Sequence, residues 1–376
     1  MIKENKNSLD KLRNQIDAID HRIVKLLDDR STLAKKTAQH KSKLGAKLYQ
    51  PSREAEVMRK ILGLRKQFPE AALSAIYREI MGASLAMEKP FTVSILGPEA
   101  TYTNLAAIRH FGHHAGIQFE ASIPDVFMRV EKNEADAGIV PIENSTEGVV
   151  VHTLDTLVES DLVVSGEIHL PIKHHLLVNA ALAKKLSAKK PKVKIRKILS
   201  HPQAIAQCRN YLEANFSGVP IEDCTSTAAA AVAAAKSSAY AAIASELAAE
   251  KYNLKIFRRG IEDTARNTTR FLILTNPAGI TTKKTGNDKT SIAFSMKDKP
   301  GALFAMLEPF KRYKINLTKI ESRPSKIRNW RYVFFIDMEG YKSDPAITKA
   351  LVELEKECRF LKILGSYPKQ FAIFKK

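Results

Sequence analysis

Apolar residues at Leu9, Leu12, Ile16, Ile19, Ile23, Leu26, Leu27, Leu33 and Ala34 recur at intervals that alternate between three and four. That spacing predicts one helix with a single apolar stripe. Asn7 or Ser8 is placed to cap its start and Gly45 to end it. Such a helix has about 36 residues and a length of about 54 Å at 1.5 Å per residue. A small domain is narrower than that, so the stripe finds full cover only against a long partner helix or another chain. Two shorter helical patterns follow, at residues 52–67 and 69–87. Three helices of such unequal length close poorly into a bundle, and the expectation is an intertwined homodimer or a higher homo-oligomer.

The long helix also carries cations. Arg30 and Lys41 are eleven residues apart, close to three turns, and share a face. Arg13 lies seventeen residues before Arg30, too far along the rod to reach the same small ligand within one subunit. A partner rod could bring it close. This set, with Arg53-Glu54 opening the second helix, resembles the all-helical chorismate mutase family over about residues 8–88. The resemblance assigns Arg13, Arg30 and Arg53 to substrate carboxylates, Lys41 to the ether oxygen and Glu54 to the hydroxyl. Ser84 and Glu88 fall on the third-helix side of the site, with Lys41 and Glu88 as catalytic residues. Gln50 stands where the family can carry an acid. Chorismate rearranges by an internal pericyclic shift that needs neither nucleophile nor metal. A preorganised donor aimed at the charge growing on the ether oxygen is worth about 3 kcal/mol, and clamping the compact conformer adds an orientation term.

Lys89-Pro90 breaks the third helix. Strand patterns at 91–96, 137–140 and 193–199 then each end in a polar turn: Gly97 to Thr103, Pro141 to Gly148, and Ser200 to Ala204. The first turn leads into a helix from Asn104, an arrangement of backbone amides that receives anions. Polar turns at strand ends predict a cleft at the carboxyl edge of a sheet. The alanine run 227–235 reads as a packed helix. Further on, Asn267-Thr268-Thr269-Arg270-Phe271 is followed by a linker-like stretch at 276–288 and then by Leu317-Thr318-Lys319-Ile320-Glu321-Ser322-Arg323-Pro324.

The three turns and the Thr269-Arg270-Phe271 segment resemble prephenate dehydratase, whose catalytic region is a two-lobed, periplasmic-binding-type α/β fold. Ala100 replaces a commoner glycine in the first turn. That reaction removes a ring carboxylate and a ring hydroxyl. Arg270, bidentate and permanently charged, is the expected carboxylate clamp, and the Thr269 hydroxyl the expected donor to the leaving oxygen. Phe271 is expected to pack under the site. Thr101, Asn144, Ser145, Thr146, Gln203 and Asn267 are the expected polar neighbours. His201 reads equally as a turn residue bonded to backbone. Which group is the general acid stays open.

The last hundred residues follow the order βαββαβ, with strands at 291–296, 315–320, 332–337 and 370–374 and helices after Asp298-Lys299-Pro300 and at 345–355. That order is ferredoxin-like. The Glu321 to Pro324 segment, read as a turn, resembles the phenylalanine-sensing ACT domain. The resemblance makes Gly301, Ala302, Leu303, Glu321, Ser322 and Arg323 effector contacts. The expected domains are therefore an all-α unit at 1–89, an α/β unit at 90–276 and an α+β unit at 288–376. The expected activity is chorismate to prephenate to phenylpyruvate under phenylalanine control. Two rivals are a dehydratase with an inert helical dimerisation rod and an amino-acid-binding regulator.

Composition limits the other classes. The formal net charge is +20, and the densest basic stretch, Lys184 to Lys197, has no aromatic residues between its cations for base stacking. It reads as a solvated face, and no nucleic-acid partner is expected. Three widely spaced cysteines, Cys208, Cys224 and Cys358, suit neither a disulfide framework nor a zinc site. No apolar run reaches the ~18 residues of a membrane span. The start shows no signal-peptide core, so a cytoplasmic location is expected. No dinucleotide fingerprint or phosphate loop occurs, and neither cofactor nor metal is expected.

Overall fold

The computed structural model describes residues 2–43, 49–187, 194–280, 282–297, 299–324 and 332–370. α1 (Ile2–Lys43) is a single rod of 42 residues. It begins ahead of Asn7 and Ser8, so neither caps it; its expected stop at Gly45 lies outside the described residues. α2 (Pro51–Leu64) starts with proline at its first turn and Glu54 beside it, both favourable at a helix start. α3 (Glu70–Glu88) ends where Lys89 turns extended. The predicted stripe exists, and it is bare: Leu12 is 55% exposed, Ile16 57% and Leu33 63%.

Two lobes follow. The first contains β1 (Thr92–Leu96), α4 (Tyr102–Phe111), β2 (Gly116–Glu120), α5 (Ile123–Glu131), β3 (Ala137–Asn144), β4 (Gly148–Val149), α6 (Val151–Glu159) and β5 (Val163–Pro171). The second contains β6 (His175–Val178), α7 (Ala180–Leu186), β7 (Lys197–Ser200), α8 (Pro202–Ala206), α9 (Arg209–Phe216), β8 (Ile221–Asp223), α10 (Thr227–Ala235), β9 (Tyr240–Ala244), α11 (Glu246–Lys251) and β10 (Lys255–Arg258). The chain then returns to the first lobe as β11 (Thr268–Thr275), which inserts antiparallel between β3 and β5. The sheets run β2-β1-β3-β11-β5, with β4 paired to β3, and β10-β6-β9-β7-β8. β3 runs on through Pro141 to Asn144, so half of the expected second turn is strand. β7 starts later than the expected strand at 193–199, whose first residue, like Lys189, Lys190 and Lys192 of the basic stretch, is outside the described residues. In α10, Ala228, Ala230, Ala231 and Ala234 are buried; their small side chains let the helix lie close against β9 and β7.

The C-terminal unit has β12 (Asp288–Met296), α12 (Ala302–Arg312), β13 (Leu317–Pro324), β14 (Tyr332–Glu339), α13 (Pro345–Glu357) and β15 (Cys358–Pro368), with sheet order β13-β14-β12-β15. The order βαββαβ stands, with three corrections. Glu321 to Pro324 is strand rather than turn, because Glu321, Ser322 and Arg323 pair with Phe335, Phe334 and Val333. α12 begins after Gly301, whose φ of 77° suits glycine, and not at Pro300; Asp298 is outside the described residues. The last strand follows α13 directly and pairs along β12, twelve residues before the expected strand, most of which (371–374) is outside the described residues.

The two faces of this sheet do different jobs. Ile292, Phe294, Ile336 and Met338 face α12 and α13. Ala293, Val333, Phe335, Leu364 and Tyr367 face the first lobe and share one core with Val140, Leu154, Val164 and Leu272. The contact is tight enough that a Cβ on Gly365 would meet the Val164 carbonyl oxygen at 2.1 Å. Lobe and C-terminal unit are therefore packed sheet on sheet.

Candidate active sites

In the helical unit, α1 and α3 bring four expected residues together. Arg30 donates to the Ser84 hydroxyl at 2.5 Å. Lys41 stands 3.6 Å from Glu88, whose Oε2 is buried with no hydrogen-bond partner. Glu54 reaches in from α2 and meets Arg78 at 3.4 Å. Burial pushes the Glu54 carboxyl up, against the downward pull of Arg78 and Lys41. Two expected residues stay apart. Arg53 points outward and pairs with Glu56 at 2.8 Å. Arg13 is 65% exposed, pairs with Asp10 and sits far along the bare part of the rod. Arg78 was not singled out in the sequence, where one arginine in a helix repeat carries no distinguishing signal.

Between the lobes lies a cleft of about 310 Å³. Thr101, Asn144, Gln203, Thr269 and Phe271 line it, as expected, together with His201. The helix starts of α4 and α10 open onto it. Thr101 caps α4 by accepting from the Asn104 amide, and Ser226 caps α10 by accepting from Ala229. His201 caps α8 through a bond from the Gln203 amide, so the turn reading holds for it. Among the described residues no lysine or arginine lines the cleft. Positive potential there comes from helix ends.

A continuous hydrogen-bond chain crosses the cleft floor. Tyr102 meets His174 Nδ1 at 2.9 Å, and His174 Nε2 meets Gln207 Oε1 at 2.9 Å. Asn267 donates to the same Gln207 oxygen at 2.7 Å. Asn144 Nδ2 donates to Asn267 Oδ1 and to Thr269 Oγ1, both at 2.8 Å. Burial lowers the His174 pKa, outweighing the Gln207 hydrogen bond. A neutral ring fits the chain, one nitrogen accepting from Tyr102 and the other donating to Gln207. Because Asn144 donates to Thr269, the Thr269 hydroxyl hydrogen is left for a ligand. Thr146 supports Asn144 from behind, donating to Oδ1 at 2.5 Å. Ser145 exchanges bonds with Thr268 and lies outside the lining. Tyr102, His174 and Gln207 were not expected. Tyr102 lay inside a quoted turn, but nothing in the sequence linked it to His174 and Gln207, dozens of residues away.

Arg270 does not enter the cleft. Side chains alternate along a strand, so Thr269 and Phe271 face one way and Arg270 the other. Its guanidinium is 5% exposed. Nε donates to Glu167 at 2.9 Å, Nη1 faces Glu143 at 3.0 Å and Asp337 at 2.6 Å, and Nη2 donates to Tyr367 at 3.1 Å. Burial alone would lower its pKa, but Tyr367 and the three carboxylates raise it. The carboxylate clamp expected from sequence is thus engaged by protein acids behind the cleft.

Of the effector residues, Gly301 is the left-handed cap of α12 and Leu303 is 58% exposed beside Ala302. Glu321 and Ser322 lie on edge strand β13. Arg323 is fastened to the first lobe, donating to the Val151 carbonyl at 2.9 Å and pairing with Asp155 at 3.2 Å. Among the described residues no three His, Cys, Asp or Glu side chains gather as a metal site.

Comparison with known proteins agrees with this layout. The chorismate mutase type II family profile matches residues 12–89, the prephenate dehydratase profile 93–278 and the ACT domain profile 290–356. A bifunctional chorismate mutase/prephenate dehydratase from Aquifex aeolicus (strain VF5) is 47% identical over 96% of this chain and 98% of its own length. One from Stutzerimonas stutzeri is 42% identical over 96% and 98%. Among solved structures, a prephenate dehydratase from Arthrobacter aurescens in complex with L-Phe aligns with a TM-score of 0.66 at 31% identity, covering 74% of this chain and 90% of that one. The chain belongs to the family of bifunctional chorismate mutase/prephenate dehydratases with a C-terminal ACT domain.

Proposed function

We propose that one homodimeric, cytoplasmic enzyme carries chorismate to prephenate in its helical unit and prephenate to phenylpyruvate in its cleft, with phenylalanine acting as inhibitor through the last domain. The domain limits are those expected from sequence, 1–89, 90–276 and 288–376. The mutase site takes Arg30, Lys41, Arg53, Glu54, Ser84 and Glu88 from one chain and Arg13 from a second. The support for a second chain is the bare stripe of α1, from Leu9 at 47% exposure to Leu33 at 63%. Covering the exposed half of each such side chain contributes about 1 kcal/mol.

The observation that carries the dehydratase reading is the Asn144 amide donating to Thr269. It orients the hydroxyl so that its hydrogen points at a ligand. As the ring carboxylate leaves as carbon dioxide, its bonding electrons expel the ring hydroxyl, and Thr269 stabilises that oxygen by hydrogen bonding. Substrate carboxylates rest on the starts of α4 and α10, beside Thr101 and Ser226, in place of Arg270. Asn144 and Gln203 position the ring, and Asn267 holds Asn144 and Gln207 in place. Phe271, 2% exposed, forms the apolar floor. Phenylalanine binds near Gly301 to Leu303 and Glu321 to Arg323. The test is a coupled assay from chorismate, following prephenate and phenylpyruvate with and without phenylalanine. Prephenate and phenylpyruvate should appear in sequence, with the second step slowed by phenylalanine. Failure of either step, or indifference to phenylalanine, overturns the corresponding part.

A further inference from the structure

Behind the cleft, the two packed sheets enclose a ring of charge. Glu143 on β3, Glu167 on β5 and Arg270 on β11 come from the lobe; Lys289 on β12, Lys319 on β13 and Asp337 on β14 come from the C-terminal sheet. Lys289 holds Glu167 at 2.8 Å, and Lys319 holds Glu143. Three cations meet three anions, so the cluster is neutral, and Arg270 joins both halves. β15 adds Tyr367, fully buried, whose hydroxyl lies 2.7 Å from Ser291 Oγ and accepts from Arg270. Every strand of the C-terminal sheet thus supplies one member. The charges on Glu143 and Glu167 are secured: burial pushes each carboxyl up, and in each the neighbouring donors and cations outweigh it.

Register ties this cluster to the reaction. Across the β3–β11 pair, Arg270 is opposite Glu143, and the next pair is Thr269 opposite Asn144. The ladder breaks register between Arg270 and Phe271, so this stretch of β11 is held by side chains as well as by its ladder. The cluster is one residue from the cleft on both strands. A shift in the C-terminal sheet that moved Asp337 or Tyr367 would draw on Arg270 and turn the Thr269 hydroxyl.

We propose that Arg270 is a positioning residue for the dehydratase reaction, and that the ion cluster around it is the joint through which the C-terminal domain sets the geometry of Thr269. This rests on the reading of Thr269 as the hydroxyl that meets substrate. Truncating a side chain here would leave a void as well as a stranded charge, so the variants keep shape: Asp337→Asn, which leaves one cation in excess, and Tyr367→Phe, which changes no charge, in the full chain. Dehydratase kcat and KM, inhibition by phenylalanine, and mutase kcat/KM are measured on each sample; the mutase value reports folding. Asp337→Asn should lower dehydratase kcat about tenfold and weaken phenylalanine inhibition, within the range expected of coupling residues. KM and the mutase should stay within about twofold. Tyr367→Phe should act in the same direction, about threefold, and decides the matter alone if Asp337→Asn loses the mutase too. Wild-type kcat with full inhibition in a folded variant overturns the proposal. So does a raised KM at unchanged kcat, the signature of a direct carboxylate clamp. Retained activity in Thr269→Ala would remove the Thr269 assignment while leaving the Asp337→Asn effect on kcat to be read separately.

Discussion

The two catalytic regions present charge in opposite ways. The helical unit carries its cations on long side chains, and one of them, Arg13, sits on a bare rod far from the rest. The cleft uses no lysine or arginine among its described lining residues, but fixed helix starts and neutral amides. In the proposed reading the first site is completed by bringing the surfaces of two chains together. The second is formed by strand register within one chain. On that reading the first site depends on association, and the second on the sheet packed against the ion cluster behind it.

The sharpest way to break this comparison is Thr269→Ala. Removal of one preorganised donor should cut dehydratase kcat roughly 10²–10³-fold, while prephenate still accumulates from chorismate at the wild-type rate. A fall in both activities of the folded variant would mean that the sites are not separate. The next effect belongs to the rod. Ile19, 53% exposed in the single chain, lies in the stripe expected to meet a second rod. Ile19→Asp places charge in that seam, and mutase activity should fall roughly tenfold or more at micromolar protein, because the site then follows dimer concentration. The dehydratase should change less than twofold. Full mutase activity in a chain shown by sedimentation to be monomeric would show that Arg13 of a second chain is not needed. A smaller change comes from Glu88, whose Oε2 is buried beside Lys41 without a hydrogen bond. A glutamine amide donates to an ether oxygen at any pH, and a carboxylate only when protonated. Glu88→Gln should therefore raise mutase kcat/KM a few-fold, and an unchanged kcat/KM would remove Glu88 from contact with that oxygen.

The same contrast explains what was legible in the sequence. Periodicity gave α1, α2 and α3 within a few residues, since an amphipathic stripe is a local signal. The six elements of the C-terminal unit also followed in order, but the last strand was placed too late because β15 starts at Cys358 with no turn after α13. The cleft residues at strand ends were visible as polar turns. Tyr102, His174 and Gln207 were not, because each is ordinary alone and they meet only in the folded chain. Arg270 shows the opposite limit. Its motif was plain, but its direction depends on strand alternation, which places it behind the cleft once Thr269 faces into it. A motif names residues; the pleat decides which way they point.

The smallest expected effect tests whether the cleft chain needs a neutral His174. Burial lowers its pKa, below an unfolded value of about 6.5. The sign follows: stability from this group is complete above the unfolded pKa and declines as pH falls through it toward the folded value. For activity, a proton on Nδ1 turns an acceptor into a donor and reverses the bond to Tyr102, whose hydroxyl oxygen then accepts. Tyr102 has a second acceptor, the Lys173 carbonyl at 2.9 Å. The chain therefore changes direction at one end, while the bonds from Asn144 to Thr269 and from Asn267 to Gln207 persist. Dehydratase kcat should accordingly drop only a few-fold as His174 takes up its proton on the acid side of the ordinary histidine range. The mutase, remote from His174, should show no such limb of this origin. His174→Gln, neutral at every pH and still able to bond Gln207, should flatten the acid limb of the dehydratase and leave the mutase profile unchanged. Profiles of kcat against pH for both activities in both proteins decide it: an acid limb that survives in His174→Gln assigns the titration to another group and leaves the chain without a pH-sensitive link.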